Sequence, residues 1–219
     1  MHAIGRRFLQ WFESKPKDVG NIIRHVLGKF DGNWFEAALL ADLDLGQSAG
    51  NGSLMRCLPV ALCYPELGDV ERVSRIQSKM THYDERCSQV CEAYNRIAFR
   101  ILNHNEAIKD AIEAEIRQTG YESSLYAEPN CEPSGFVVHT FRWVLHILMT
   151  SNSFEEVVQK AANLGGDADT IAAIAGGLAG VYYGYNGIPE RYSSQIIMKD
   201  RLHVASCRIH DWRNELGRS

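Results

Sequence analysis

No stretch of this 219-residue sequence is long and apolar enough to cross a bilayer, which takes about 20 predominantly apolar residues. The amino terminus carries Arg6 and Arg7 ahead of Phe8, Leu9, Trp11 and Phe12, but it lacks a long apolar core and a small-residue cleavage site. It therefore does not read as a signal peptide. A basic stripe is also lacking. The formal net charge is −4, which argues against binding along nucleic-acid backbones but leaves open a phosphate held by a local loop. The six cysteines (Cys57, Cys63, Cys87, Cys91, Cys131 and Cys207) contain no CxxC pair. Several lie among apolar residues of helical pattern, where cysteine behaves as a small hydrophobe. Reduced thiols in the cytoplasm are expected, not disulfides or zinc. Period-2 alternation, tandem repeats and low-complexity tracts are missing too. What remains is an all-α expectation, as one domain over residues 1–219.

Helical spacing runs through most of the chain. Ile4, Phe8, Trp11 and Phe12 form one stripe, ending near Lys15-Pro16. Val19, Ile22, Ile23, Val26 and Leu27 form a second behind a candidate cap, Asp18, with Gly28 just beyond it. A short helix is predicted over Asn33 to Ala41, and another is marked by Val70, Val73, Ile76 and Met80 with Asp69 as its cap. The longest is predicted from Asp84 to about Leu102, its buried stripe being Cys87, Val90, Cys91, Tyr94, Ile97, Ala98 and Ile101. Asn105 is read as the cap of a segment through Arg117 that Gly120 stops. Residues 121–134 read as a loop. Helices are predicted over Phe136 to Met149 and from Ser153, where Ser153 and Glu156 have capping-box spacing.

Two segments depart from routine helix packing. In Gly165-Gly166-Asp167-Ala168-Asp169-Thr170, two carboxylates and a hydroxyl crowd into one turn after a glycine pair. Like charges so close repel unless hydrogen bonds or a cation compensate, and a hard ion such as Mg²⁺ takes oxygen ligands of this kind. The following helix carries Ala172, Gly176, Gly180 and Gly184 at four-residue spacing, so a neighbouring backbone is expected close to that face. A plainer reading stays open, because Asp and Thr are favoured helix caps and acidic residues stabilise helix starts without any metal. The second segment is Gly50-Asn51-Gly52-Ser53-Leu54-Met55-Arg56. Its glycines free backbone N–H groups and Ser53 is placed to cap a following helix, an arrangement suited to phosphate; an ordinary Asn-Gly turn is the alternative. Pro59 is expected to bend that helix. A third candidate is His82, within Thr81-His82-Tyr83-Asp84 ahead of the long helix, available to a pocket or else a packing residue.

In order and spacing, Gly50 to Arg56, Thr81-His82 before a long helix, and Gly165 to Thr170 with its small-residue helix resemble the ADP-ribosylglycohydrolases. The Trp11 region, Asp18-Val19-Gly20-Asn21 and Gly184 to Pro189 continue the likeness. The resemblance implies a compact, orthogonally packed helical domain and hydrolysis of ADP-ribosyl conjugates, with an ADP-ribosylated protein or an ADP-ribosyl small molecule as substrate. It implies two Mg²⁺ ions, with Asp167, Asp169 and Thr170 as metal ligands. It also implies a proton-transferring carboxylate, here Asp169, and a pocket lined by Gly50, Asn51, Gly52, Ser53 and His82. The family's glycine-rich opening and Thr-Asp-Asp-Thr type motif are not found here, and Asp18, Asp31, Asp42 and Asp44 do not reproduce them. The chain is therefore expected to begin after that segment, with half of the metal cage trimmed away from the sequence, supplied by another polypeptide or lost. In the last case it would be a non-catalytic ADP-ribose-binding or structural relative.

Overall fold

The computed structural model describes residues 2–117 and 119–218. Twelve α-helices occur among them: α1 (His2–Glu13), α2 (Asn21–Gly28), α3 (Trp34–Leu45), α4 (Leu58–Cys63), α5 (Leu67–Lys79), α6 (Glu85–His104), α7 (Ile108–Ile116), α8 (Val137–Thr150), α9 (Phe154–Ala162), α10 (Ala168–Tyr183), α11 (Glu190–Ser193) and α12 (Lys199–Leu216). Among the described residues there is no strand, only a lone antiparallel bridge between Gly50 and Phe136. The all-α class read from the spacing is the class observed.

Helix α6 is the axis of the molecule and packs against α4, α5, α7, α8 and α10. The stripe read from the sequence, Cys87 to Ile101, is buried along its whole length. Its start is fixed by Asp84, whose carboxylate accepts from the Arg86 N–H at 2.8 Å, and its end by Asn105 in the left-handed conformation. Asn105 therefore closes α6 and does not open α7, whose cap position is Ala107. Around this axis lie the fully buried Phe141, Leu145 and Leu148 of α8 and Ile171 and Leu178 of α10. Removing such a side chain costs about 2–5 kcal/mol.

Several predicted ends shift for local reasons. Asp18 does not cap α2; Gly20 holds that position and Val19 lies ahead of the helix. Asp69 sits inside the first turn of α5 and pairs with Arg72 at 2.6 Å, while Glu66 occupies the cap position. Pro59 bends nothing, since it stands in the first turn of α4, where a missing N–H leaves no hydrogen bond unmade. Helix α3 runs four residues past Ala41, from a cap at Asn33 that accepts from the Phe35 and Glu36 N–H groups to a left-handed Gly46. At α9 the Ser153 hydroxyl accepts from the Glu156 N–H at 3.1 Å, but the Glu156 carboxylate reaches one residue further back, to the Asn152 N–H at 2.9 Å. The close backbone expected at Gly176 and Gly180 is not found, since a Cβ at either would meet only side-chain atoms, and the tight position is Gly177. A Cβ there would lie 2.8 Å from the Tyr94 hydroxyl, which donates to the Ile174 carbonyl.

Candidate active site

Three loops converge beside the start of α10, joined by backbone hydrogen bonds. The Val137 N–H donates to the Ala49 carbonyl at 2.9 Å, the Asn51 N–H to the Gly135 carbonyl at 2.9 Å, and the Asp167 N–H to the Pro133 carbonyl at 2.9 Å. The segment 133–137 thus ties the Gly50–Arg56 element to the acidic turn. Close passage needs glycine: Gly166 has φ +57°, and a Cβ on it would lie 2.1 Å from the Pro133 carbonyl oxygen.

The loops frame an open cavity of about 970 Å³. Its lining is mixed, with apolar Trp11, Ile22, Ile23, Leu45 and Met55, polar Asn51, His82, Asp167 and Thr170, and the glycines Gly50 and Gly52. Three motif segments, Gly50 to Gly52, His82, and Asp167 with Thr170, therefore share the lining of one cavity. Asp18 and Gly20 stand at its edge, though Asp18 is not the cap it resembles.

Asp167 holds the cap position of α10, yet its side chain makes no capping hydrogen bond. Its Oδ2 accepts from Asn51 Nδ2 at 2.6 Å across 116 residues of sequence. The same Nδ2 donates to Thr140 Oγ1 at 2.9 Å, and Thr140 passes its own proton to the Ser134 carbonyl at 2.9 Å. Both Asn51 N–H groups are thereby committed and its side-chain oxygen remains an acceptor. Asp169, two residues on, is exposed and is not on the cavity wall; its Oδ1 accepts from the Thr170 N–H at 2.9 Å. The plainer reading thus fits Asp169, an acidic residue in the first turn of α10, while the cap reading fails for Asp167.

Ser53 is likewise off the wall. It is fully buried beneath the loop, its hydroxyl accepting from Ser78 at 3.0 Å and from the Cys91 thiol at 3.6 Å, and it caps no helix. His82 is 1% exposed, with Nδ1 2.8 Å from Thr81 Oγ1. Burial, reinforced by the nearby Arg56 charge, pushes its pKa down to about 3, so the ring is neutral at ordinary pH.

Magnesium can be weighed against these donors. Asp167 and Thr170 offer hard oxygens to the cavity and Asp169 a third from the same turn. Since Mg²⁺ is commonly held by one or two carboxylates with water and substrate completing the shell, the residues fit one ion. Among the described residues no group of three or more His, Cys, Asp or Glu is placed to hold a metal ion, so Asp167 and Thr170 make a partial shell that water, substrate or a further segment would have to complete.

Sequence reasoning did not single out Pro133, Ser134, Gly135 and Thr140, the strap and the residue behind Asn51. The only signal was a proline and a glycine placed just ahead of a helix.

The ADP-ribosylglycohydrolase family model matches residues 1–216. The chain is 32% identical over 200 residues to the ADP-ribosyl-[dinitrogen reductase] glycohydrolase of Rhodospirillum rubrum, covering 90% of this chain and 66% of that protein. It is 28% identical over 204 residues to the ADP-ribosylarginine hydrolase Tri1 of Pseudomonas putida strain GB-1, covering 89% and 54% respectively. A solved structure titled ADP-ribosylglycohydrolase-related protein complex superposes with a TM-score of 0.76 at 25% identity, covering 95% of this chain and 72% of that one. The chain thus spans 54% to 66% of the length of these two curated relatives. It belongs to the ADP-ribosylglycohydrolase family.

Proposed function

We propose that the chain carries the ADP-ribose-binding wall and one metal-binding turn of a magnesium-dependent hydrolase. Its substrate would be an ADP-ribosyl conjugate, either an ADP-ribosylated protein or a small molecule. The observation that carries this reading is the Asp167 carboxylate, turned from its own helix toward Asn51 on the cavity wall. The cavity suits a ligand that joins an aromatic base to a hydroxyl-rich sugar, since its lining mixes apolar side chains such as Trp11 and Met55 with the polar Asn51, His82 and Asp167.

Asp167 and Thr170 would hold Mg²⁺ from the cavity side, with Asp169 joining them once its carboxylate leaves the Thr170 amide. Bound there, the ion would supply Lewis-acid orientation of ribose hydroxyls and a water. Asn51 fixes the Asp167 carboxylate, and its free side-chain oxygen accepts from a ribose hydroxyl. Hydrolysis breaks the bond at the distal ribose anomeric carbon, joins a water oxygen to that carbon and delivers a proton to the leaving group. Asp169, open to water, is assigned the proton-handling role. Remaining oxygen donors would come from water, substrate or a further polypeptide segment.

The relatives named for ADP-ribosyl hydrolysis support the reaction class. In any assembly of this chain that turns over an ADP-ribosyl conjugate, Asp167→Ala and Asp169→Ala should each abolish hydrolysis; retained turnover rejects the roles. One observation favours a second reading, a non-catalytic ADP-ribose binder, namely the outward, backbone-bonded carboxylate of Asp169. Calorimetry with ADP-ribose, with and without Mg²⁺, separates the two. Tight binding that Mg²⁺ does not alter, together with no turnover, selects the binder.

A further inference from the structure

The hydrogen bonds behind His82 determine which of its nitrogens carries the proton. Arg56 Nε donates to Gln77 Oε1 at 3.0 Å, and Nη2 donates to the Gln77 carbonyl at 2.9 Å and to Thr81 Oγ1 at 2.7 Å. The Phe8 ring of α1 covers the guanidinium, 4.5 Å from its centroid. A guanidinium only donates, so Thr81 Oγ1 accepts from Arg56 and its own proton needs another acceptor. Thr81 is 1% exposed, and its other partner is His82 Nδ1 at 2.8 Å. Were that nitrogen to carry the proton, the threonine hydroxyl would be left buried with its hydrogen unpaired, which folded proteins avoid. Nδ1 therefore accepts, and a neutral imidazole then carries its single proton on Nε2.

Nε2 is the nitrogen at the glycine loop. It lies 3.4 Å and 3.3 Å from where a Cβ would stand on Gly50 and Gly52, beside the cavity that His82 lines. A Cβ on Gly52 would press on the ring, 3.1 Å from Cε1, so glycine there keeps that edge uncrowded. We propose that Arg56 and Thr81 are positioning residues whose hydrogen-bond chain holds His82 in the Nε2–H tautomer, giving the cavity a fixed donor for an acceptor oxygen of the ligand. The inference rests on the ADP-ribose reading of this cavity only for the identity of that ligand. His82 is then neither the base nor the acid of the reaction, because Nδ1 is occupied and Nε2 already protonated.

The test is the long-range ¹⁵N–¹H spectrum of the full chain labelled at histidine, with the His82 signals assigned by their loss in His82→Gln. Protonated Nε2 and unprotonated Nδ1 are expected. Thr81→Ser should keep that pattern, and Thr81→Val should mix or reverse the tautomers. Circular dichroism checks folding, and Thr81→Ala serves if valine is not tolerated. Calorimetry with ADP-ribose should show roughly fivefold to tenfold weaker binding for Thr81→Val than for Thr81→Ser, the worth of one neutral hydrogen bond. A wild-type spectrum of the Nδ1–H form, or a Thr81→Val spectrum identical to wild type, overturns the proposal. If ADP-ribose binds none of the proteins, the ADP-ribose reading falls, while the spectra still decide the relay.

Discussion

Helices α9 and α10 are packed neighbours whose starts differ in one respect. Both begin at a residue type favoured as an N-cap. Ser153 uses its side chain on the Glu156 N–H of its own helix, whereas Asp167 leaves its helix uncapped and meets Asn51. Their approaches differ as well. The chain enters α9 through extended backbone, with Ser153 at φ −148° and ψ 159°. It enters α10 through two left-handed glycines, Gly165 at φ +73° and Gly166 at φ +57°. A side chain that forgoes a cap worth about 1 kcal/mol for a contact across the molecule marks a site where local helix rules yield to another requirement.

The sharpest way to break the comparison is to give α10 the cap that α9 has. Asp167→Ser should leave stability within about 1 kcal/mol of wild type, since serine can cap and the helix loses only a partly exposed contact. In an assembly of this chain that turns over an ADP-ribosyl conjugate, it should lower hydrolysis by ~1000-fold, the scale of removing one electrostatic group from a reaction centre. Urea unfolding and a hydrolysis assay check the two halves. A large stability loss with activity kept would make Asp167 a structural residue.

The cavity side has a pH response of its own. His82 is held neutral with its pKa near 3, whereas a histidine in the unfolded chain takes up its proton near pH 6.5. Between those values the unfolded state binds more protons, so the stability tied to His82 falls as pH drops through that window. Between pH 7 and pH 4 the loss is on the order of 3 kcal/mol. Unfolding at pH 7 and pH 4 should show wild type losing stability that His82→Gln keeps; parallel declines would mean that the ring is not buried in its neutral form.

Residue spacing revealed what depends on period and local chemistry. The α6 stripe, the start of α6 at Asp84 and the cap at Ser153 were readable because they involve neighbours in sequence. Helix α12 was not, because it has no buried residue to set an apolar period. It is fastened instead by Arg213, whose Nη1 donates to the Ala61 and Tyr64 carbonyls at 2.9 and 2.8 Å, at the open end of α4. At the site, the motifs marked which loops meet but not which way each side chain turns. Asp167 and Asp169 are equivalent on paper. Only the Pro133–Gly135 strap and Asn51 distinguish them, and those lie far away in sequence. The same holds for Ser53, drawn under the loop by Ser78 and Cys91.

The glycine entry into α10 supplies a smaller test. Gly166→Ala meets both an unfavourable φ and the Pro133 carbonyl, and should cost about 2–3 kcal/mol. Gly165→Ala meets nothing within 4 Å and should cost only the left-handed strain, about 1 kcal/mol. Equal losses would show that the strap gives way.

The mildest change falls on the α9 side and serves as the control for the others. Ser153→Ala removes the acceptor for the Glu156 N–H but leaves the Glu156 carboxylate on the Asn152 N–H, so half of the cap survives. The expected cost is about 1 kcal/mol in urea unfolding, with ADP-ribose binding and hydrolysis unchanged, because no α9 residue lines the cavity. A loss of binding at that small cost in stability would mean that the two helix starts are coupled through the α9–α10 packing, and that the Asp167 carboxylate depends on its neighbour's cap for its direction.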